Sequence, residues 1–92
     1  MGRGAGGLPG GKARLKEIID EHLHRPGFRG EWLEVEVADR AAVGGRRAIQ
    51  GAEIKGASGG FIELSDGARI PMHRVRIVRS RGAIVYERIA KP

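Results

Sequence analysis

Glycine-containing turn sequences divide the chain after residue 31 into short segments, and this feature constrains the fold more than any other. The pairs Gly59–Gly60, Asp66–Gly67 and Arg81–Gly82 each separate two apolar stretches, and Gly44–Gly45 closes a loop. Asp-Gly and similar pairs are typical of the tight turns that join antiparallel strands. We therefore expect about five or six short, mostly antiparallel strands in this part of the chain.

The predicted strands follow the alternation of apolar and polar residues. Residues 31–38 alternate most clearly, because Leu33, Val35 and Val37 are separated by single glutamates, as in a half-buried strand. Further strands are predicted at 46–50, 52–56, 61–64, 68–70, 74–80 and 83–88.

Two details of the last strands can be predicted from the same patterns. Pro71 has no N–H to give to a strand ladder, so we expect it at a strand edge or bend. Alternation in the next strand places Arg74 and Arg76 on one face and Val75 and Ile77 on the other.

Only residues 12–24 have the periodicity of an amphipathic helix. Their inward-facing residues recur at steps of three and four, at Leu15, Ile18, Ile19, His22 and Leu23. The pair Pro26–Gly27 ends this helix. The predicted fold class is α+β, in which the N-terminal helix packs on a curled, partly closed, barrel-like sheet.

Composition restricts the domain organisation and the cellular setting. Residues 1–11 are rich in glycine and are expected to form a flexible tail, whereas residues 12–92 are expected to form one domain. Cysteine is absent, so there is no disulfide framework and no thiolate metal site. No apolar run has the length of a membrane span, and we expect a cytoplasmic protein with no membrane partner.

Positive charge is concentrated at the end of the chain. The formal net charge is +6, and residues 68–92 alone hold seven bases against one acid. Such asymmetry indicates a polarised surface and favours an anionic partner over a merely soluble, arginine-rich protein.

The arginines of this segment lie within strand-like sequence. The predicted nucleic-acid contacts among them are Arg69, Arg74, Arg76, Arg79, Arg81 and Arg88. A planar guanidinium can bind a phosphate through two parallel hydrogen bonds, so a strand hairpin carrying several of them suits a polyanion. The alternative is a solvated face on which the arginines pair with Glu34, Glu36 or Glu63.

Other candidate residues are fewer. His73 could contact a phosphate or serve in acid–base chemistry, and Tyr86 or Trp32 could stack on an unpaired base. His22 and His24 are only two apart on the predicted helix, so they face different directions and no metal site is predicted. No nucleophile–base pair is visible, so we predict no catalytic residue, no cofactor and no enzymatic activity.

Two short sequence motifs in the last third of the chain resemble those of a known family. The chain is similar to a small archaeal family described as the RNA cyclic-group end recognition domain, whose hallmark is an Ile-Pro-x-His-Arg-(Ile/Val) word followed by a glycine turn and a closing apolar-apolar-Trp-acid-Arg. The matching residues are Ile70, Pro71, His73, Arg74, Val75, Gly82, Ile84, Val85, Tyr86, Glu87 and Arg88. Tyr86 stands where the family usually has Trp, and the family's Trp-Asp after the helix is not found.

The resemblance implies a module that binds RNA and recognises processed ends such as 2′,3′-cyclic phosphates. It also implies a setting beside RNA-processing enzymes, because related domains occur fused to them. Three alternatives remain open at this point, namely a phosphodiesterase that uses His73, a protein-interaction adaptor in an RNA-processing assembly, and a non-specific binder of duplex DNA.

Overall fold

A computed structural model describes residues 11–88, which form one helix and two antiparallel sheets. The helix is α1 (Gly11–His24), and the strands are β1 (Leu33–Ala38), β2 (Arg46–Gln50), β3 (Ile54–Ser58), β4 (Phe61–Leu64), β5 (Arg69–Pro71), β6 (Val75–Ser80) and β7 (Ala83–Glu87). Apart from Gly11, the tail predicted for residues 1–11 lies outside the described residues. Within them, no helix combines the length and the apolar character needed to cross a membrane.

Residues 11–88 contain seven strands, where five or six were expected. They form two separate sheets, and the α+β class is confirmed. One sheet has the order β2-β1-β6-β7 and the other the order β3-β4-β5. The barrel-like closure that we predicted is not found among the described residues. Short 3-10 turns at Gly51–Glu53 and Met72–Arg74 separate β2 from β3 and β5 from β6, so the chain changes sheet there instead of continuing one curled sheet.

The two sheets and the helix share one core. The predicted helix face is confirmed, because Leu15, Ile18 and Ile19 are buried together with Leu33 of β1 and Ile62 of β4. This cluster excludes water from one face of each sheet, and burial of such side chains supplies most of the folding free energy of a small domain.

A β-bulge changes which side chains share a face of β6. Val75 and Val78 are fully buried, and Val78 lies opposite Val35 of β1. Ile77 instead lies opposite Glu36, on the outer face of the four-stranded sheet. The prediction that Val75 and Ile77 share a face was therefore wrong, because the register shifts by one residue between Glu36 and Val37.

Two of the predicted turns have the backbone geometry that a tight hairpin requires. Gly59 and Gly60 join β3 to β4 with φ values of 61° and 84°, and Arg81 and Gly82 join β6 to β7 with φ values of 56° and 86°. Positive φ at both central residues is the signature of the type I′ turn, whose twist matches that of the flanking strands. Positive φ is uncommon for a residue such as arginine.

Gly51 allows two chain segments to approach each other. A Cβ at this position would overlap the carbonyl oxygen of Gly30 and would stand 2.9 Å from the Cβ of Leu33. The turn that contains Gly51 is closed by a capping box, in which the Gln50 N–H donates to the Glu53 carboxylate at 3.1 Å. The close approach of Gly51 to Gly30 holds the start of β1 against the turn between the two sheets.

Candidate nucleic-acid interface

The end of β7 meets the turn before β6. This contact brings together the two sequence motifs that carry the family resemblance, at residues 70–75 and 84–88. Arg88 Nη1 donates a hydrogen bond to the His73 carbonyl oxygen at 2.8 Å. The Arg88 N–H donates to the Arg76 carbonyl oxygen, also at 2.8 Å. We call the group His73, Arg74, Arg76 and Arg88 the basic corner.

The sequence Ile70-Pro71-Met72 explains why the corner side chains point outward. Pro71 is the last residue of β5, an edge strand, as predicted, and its φ of −61° starts the 3-10 turn Met72–Arg74. Met72 is buried, and its N–H donates to the Gly60 carbonyl oxygen at 2.9 Å. Because Met72 anchors the turn, the next two residues, His73 and Arg74, are exposed.

A shallow groove of about 230 Å³ extends from the corner along the outer face of the four-stranded sheet. It is lined by Glu36, Ala38, Gly45, Arg46, Arg76, Ile77, Glu87 and Arg88. The Glu36 carboxylate already accepts a hydrogen bond from Arg46 Nη1 at 2.8 Å. The groove therefore keeps positive charge at the end where Arg76 and Arg88 lie.

The arginines of the basic corner have no carboxylate partner in the part of the chain that the structure describes. None of Arg74, Arg76 and Arg88 forms a salt bridge there, although Glu87 lines the same groove. Free guanidinium groups that share one small surface are suited to bind an anion through charge-assisted hydrogen bonds.

Arg79 differs from the corner arginines because it is neutralised within the sheet. It lies opposite Glu34 in the register of β1 and β6. Its Nη1 atom is 3.7 Å from Glu34 Oε1 and 3.5 Å from Glu36 Oε1. For Arg79, the structure has the carboxylate pairing that the sequence left open as the alternative to anion binding.

The remaining predicted contacts lie in other places. Arg69 lies on β5, with its guanidinium carbon 4.6 Å from the centre of the Phe61 ring. Arg81 lies in the β6–β7 turn, 4.7 Å from the Trp32 ring centre. Tyr86 is half-buried and packs against the core opposite Val78. The structure thus joins Arg88 to His73 and Arg76 through hydrogen bonds, with the exposed Arg74 next to His73 in the chain, and it does not place the other four predicted residues in this group.

A second group of side chains was only partly anticipated by the sequence. Arg25, Phe28, Trp32 and Arg81 form a row that we call the Trp32 stack. The Arg25 guanidinium carbon is 5.9 Å from the Phe28 ring centre, the Phe28 and Trp32 ring centres are 6.2 Å apart, and Arg81 covers Trp32. The sequence indicated Trp32 and Arg81 separately and gave no signal for the contact of Phe28 with Trp32, because a four-residue spacing brings side chains together only on a helix and residues 25–29 are not helical.

His22 supports this stack from within the core. Its Nδ1 atom is 2.8 Å from the Ile18 carbonyl oxygen, and its Nε2 atom is 2.6 Å from Ser80 Oγ. Because a carbonyl only accepts, Nδ1 carries a proton, and in the neutral ring Nε2 accepts from the Ser80 hydroxyl. The His22 ring also meets Phe28 edge-on at 5.1 Å. His22 is therefore a structural residue that joins α1 to the end of β6.

A larger surface hollow, of about 700 Å³, follows the outer side of α1. Its charges are mostly paired, because Lys16 Nζ lies 2.6 Å from Asp20 Oδ2 and Arg25 Nη1 lies 2.8 Å from Glu21 Oε2. It offers an anion less free charge than the basic corner does. Within residues 11–88, no three His, Asp or Glu side chains are grouped so that they could hold a metal ion.

Comparison with known proteins agrees with the motif. The family profile described as the MJ1316 RNA cyclic group end recognition domain matches residues 13–88. The chain is also similar to the UPF0248 protein MK0350 of Methanopyrus kandleri, with 38% identity over 66 residues. That alignment covers 72% of this chain and 88% of the relative. No solved structure matches the chain significantly.

Proposed function

This chain belongs to the MJ1316 RNA cyclic group end recognition domain family, and we propose that it is an RNA-binding module whose basic corner binds the phosphate group at an RNA end. The family name describes recognition of an RNA end, which supports a binding role over turnover. Its partner is then RNA, and enzymes that process RNA are the partners we expect beyond it.

One observation carries the proposal. The hydrogen bond from Arg88 to the His73 carbonyl joins the two halves of the family motif at a surface where Arg74, Arg76 and Arg88 are free of salt bridges within the described residues. Like charges without a carboxylate partner repel one another and slightly destabilise the folded state, and a bound anion would offset that repulsion. Their grouping is explained if an anion binds there.

The corner suits a phosphate that has two free oxygens on one side. Arg88 uses one N–H to bond the His73 carbonyl, which holds its guanidinium in place and leaves other N–H groups to donate. Arg74 and Arg76 supply further N–H donors, and the exposed imidazole of His73 adds another next to Arg74. A cyclic phosphate presents two non-bridging oxygens, which one planar guanidinium can bind in parallel.

The proposal is narrower than the eight residues predicted from the sequence. We assign Arg79 to the ion pairs of the sheet, because Glu34 and Glu36 flank it. We assign Tyr86 to packing against the core. Arg69 and Arg81 stack on the rings of Phe61 and Trp32, outside the corner.

The proposal is tested by titrating the protein with RNAs that differ only in the end group. Three short single-stranded RNAs of one sequence would end in a 2′,3′-cyclic phosphate, a 3′-phosphate or a 3′-hydroxyl. The family description leads us to expect that the cyclic end binds most tightly. We expect Arg74→Ala to lower affinity for it by about tenfold or more, since a hydrogen bond to a charged group contributes about 1.5–3 kcal/mol. Arg14→Ala removes the same charge from α1 and is the matched control.

Two results would contradict the proposal. Equal affinity for the three ends, with Arg74→Ala no weaker than Arg14→Ala, would remove end recognition by the corner. Conversion of the cyclic-ended RNA to an opened monoester, lost in His73→Ala, would show a phosphodiesterase instead of a binding module.

A further inference from the structure

We propose that the Trp32 stack is a second RNA-binding surface, which holds unpaired bases of the strand whose end lies at the basic corner. This inference rests on the proposed function and extends it, because it states that the ligand is single-stranded beyond its last nucleotide. The ligand at this surface is an unpaired nucleobase, which the stack contacts through the flat face of the base.

The stack presents flat surfaces of the kind that bases bind. Phe28 is 36% exposed, although phenylalanine is among the residue types most often buried. Arg81 is exposed, and its guanidinium lies over the Trp32 ring. Unpaired bases stack on aromatic rings and on arginine planes, and the stacking tolerates any base because every base has a π-face.

The components of the stack are fixed in position before any ligand binds. The Arg81 N–H donates to the Trp32 carbonyl oxygen at 2.9 Å, and the Phe28 N–H donates to the Arg25 carbonyl oxygen at 3.1 Å. His22, buried to 4% exposure, supports the Phe28 edge and bonds to Ser80 one residue before Arg81. A preorganised surface loses little conformational entropy on binding.

Charge favours a nucleic acid over an uncharged aromatic ligand. Arg81 makes no salt bridge within the described residues, whereas Arg25 is paired with Glu21 and Arg29 with Glu31. The stack therefore combines one free cation with two rings, which fits a base and its adjacent phosphate. Its binding should depend on stacking more than on salt, in contrast to the basic corner.

The two surfaces lie at opposite ends of the β6–β7 hairpin. Arg81 is in its turn, whereas Arg74 precedes β6 and Arg88 follows β7. Strands of five to six residues are about 17–20 Å long, so one RNA must extend several nucleotides from the corner to reach the stack. A duplex keeps its bases stacked on each other, so the surface selects an unpaired strand.

The test is a length series of cyclic-ended RNAs, each prepared with normal bases and with abasic residues upstream of the last nucleotide. For the 92-residue protein, we expect affinity to rise by roughly 5- to 150-fold once the RNA reaches the stack, and only when bases are present. Arg81→Asn and Trp32→Leu should each remove most of this gain, whereas Trp32→Phe should retain part of it.

Arg81→Asn separates binding from folding. It places Asn-Gly in the type I′ turn, which is a preferred pair for this turn, so hairpin stability should be kept. An equal length gain for abasic and normal RNA, or an unchanged gain in both Arg81→Asn and Trp32→Leu, would overturn the inference. Failure of the corner proposal would give a different result. The shortest RNAs would then bind with the same affinity whatever their end group, while longer RNAs with bases would still bind more tightly than abasic ones.

Discussion

Two groups of arginines on the same four-stranded sheet have opposite surroundings. On the outer face, Arg79 lies between Glu34 and Glu36, and Glu36 also binds Arg46. At the basic corner, Arg74, Arg76 and Arg88 have no such partner within residues 14–88, and Arg88 is held by a backbone carbonyl instead. Residue type and strand propensity are the same in the two groups, so position alone makes the difference.

The difference follows from strand register. Glu34 lies directly opposite Arg79 in the β1–β6 pair, and side chains in such pairs are close enough to interact. The corner arginines lie where the ladder ends or bulges, and within the described residues none of them forms a salt bridge with a β1 glutamate. An arginine in a paired strand therefore stabilises the sheet modestly, whereas one at a strand end stays available for a ligand.

The largest effect should come from removing the free cations. We expect the triple variant Arg74→Ala, Arg76→Ala, Arg88→Ala to lower RNA affinity by about 100-fold or more, because each lost contact to a charged group costs about 1.5–3 kcal/mol. The slope of log affinity against log salt should become shallower by about 2, since each of the three lost phosphate contacts with a single strand contributes about 0.7. Binding titrations at several salt concentrations measure both.

The matched control removes the same charge from paired positions. Arg14→Ala, Lys16→Ala, Arg79→Ala takes away three cations that each have a carboxylate partner. Its RNA affinity and salt slope should stay close to those of the unmodified protein. Equal losses in the two triple variants would show that net charge, and not the corner, governs binding.

A second, smaller effect concerns the framework that holds both groups. Gly51→Ala should lower the free energy of unfolding by about 1–3 kcal/mol, because the added methyl group overlaps the Gly30 carbonyl and must push two turns apart. Chemical denaturation measures the change.

The control for this change is Gly56→Ala in β3. A Cβ there meets nothing within 4 Å, so the free energy of unfolding should change by less than about 0.5 kcal/mol, which is the usual range for benign surface substitutions. If Gly51→Ala unfolds at the same denaturant concentration as Gly56→Ala, the close contact with Gly30 does not constrain the fold.

Local features were predicted well from the sequence. The helix over 12–24 is observed at Gly11–His24, the clearest alternating strand at Leu33–Ala38, and the last turn at Arg81–Gly82. Each of these depends on residues close together in the chain, whose spacing or turn chemistry is visible directly.

Features that depend on distant residues were not predictable in the same way. The pairing of β1 with β6 joins residues 38 to 47 positions apart, and only that pairing decides that Arg79 meets Glu34. The division into two sheets depends on 3-10 turns, which have no strong sequence signal. Phe28 was missed because its contact with His22 needs the chain to fold back after Pro26–Gly27.

The smallest effect should come from removing a carboxylate on the outer face of the four-stranded sheet, so that its arginines become unpaired like those of the basic corner. Glu36→Gln removes the carboxylate that Arg46 and Arg79 share, and Arg46 lines the same groove as Arg76 and Arg88. We expect the free energy of unfolding to fall by about 1 kcal/mol or less and RNA affinity to rise severalfold, because Arg46 then joins Arg76 and Arg88 as a third free cation in the groove.

Glu17→Gln is the charge-matched comparison for this rise. It frees Arg14 on the outer side of α1, with the same gain of one positive charge. Long-range attraction should therefore increase equally in the two variants, and only Glu36→Gln should add a local contact and steepen the salt slope. If both raise affinity by the same factor, the groove is not part of the RNA path, and the free charge that matters is confined to His73, Arg74 and the end of β7.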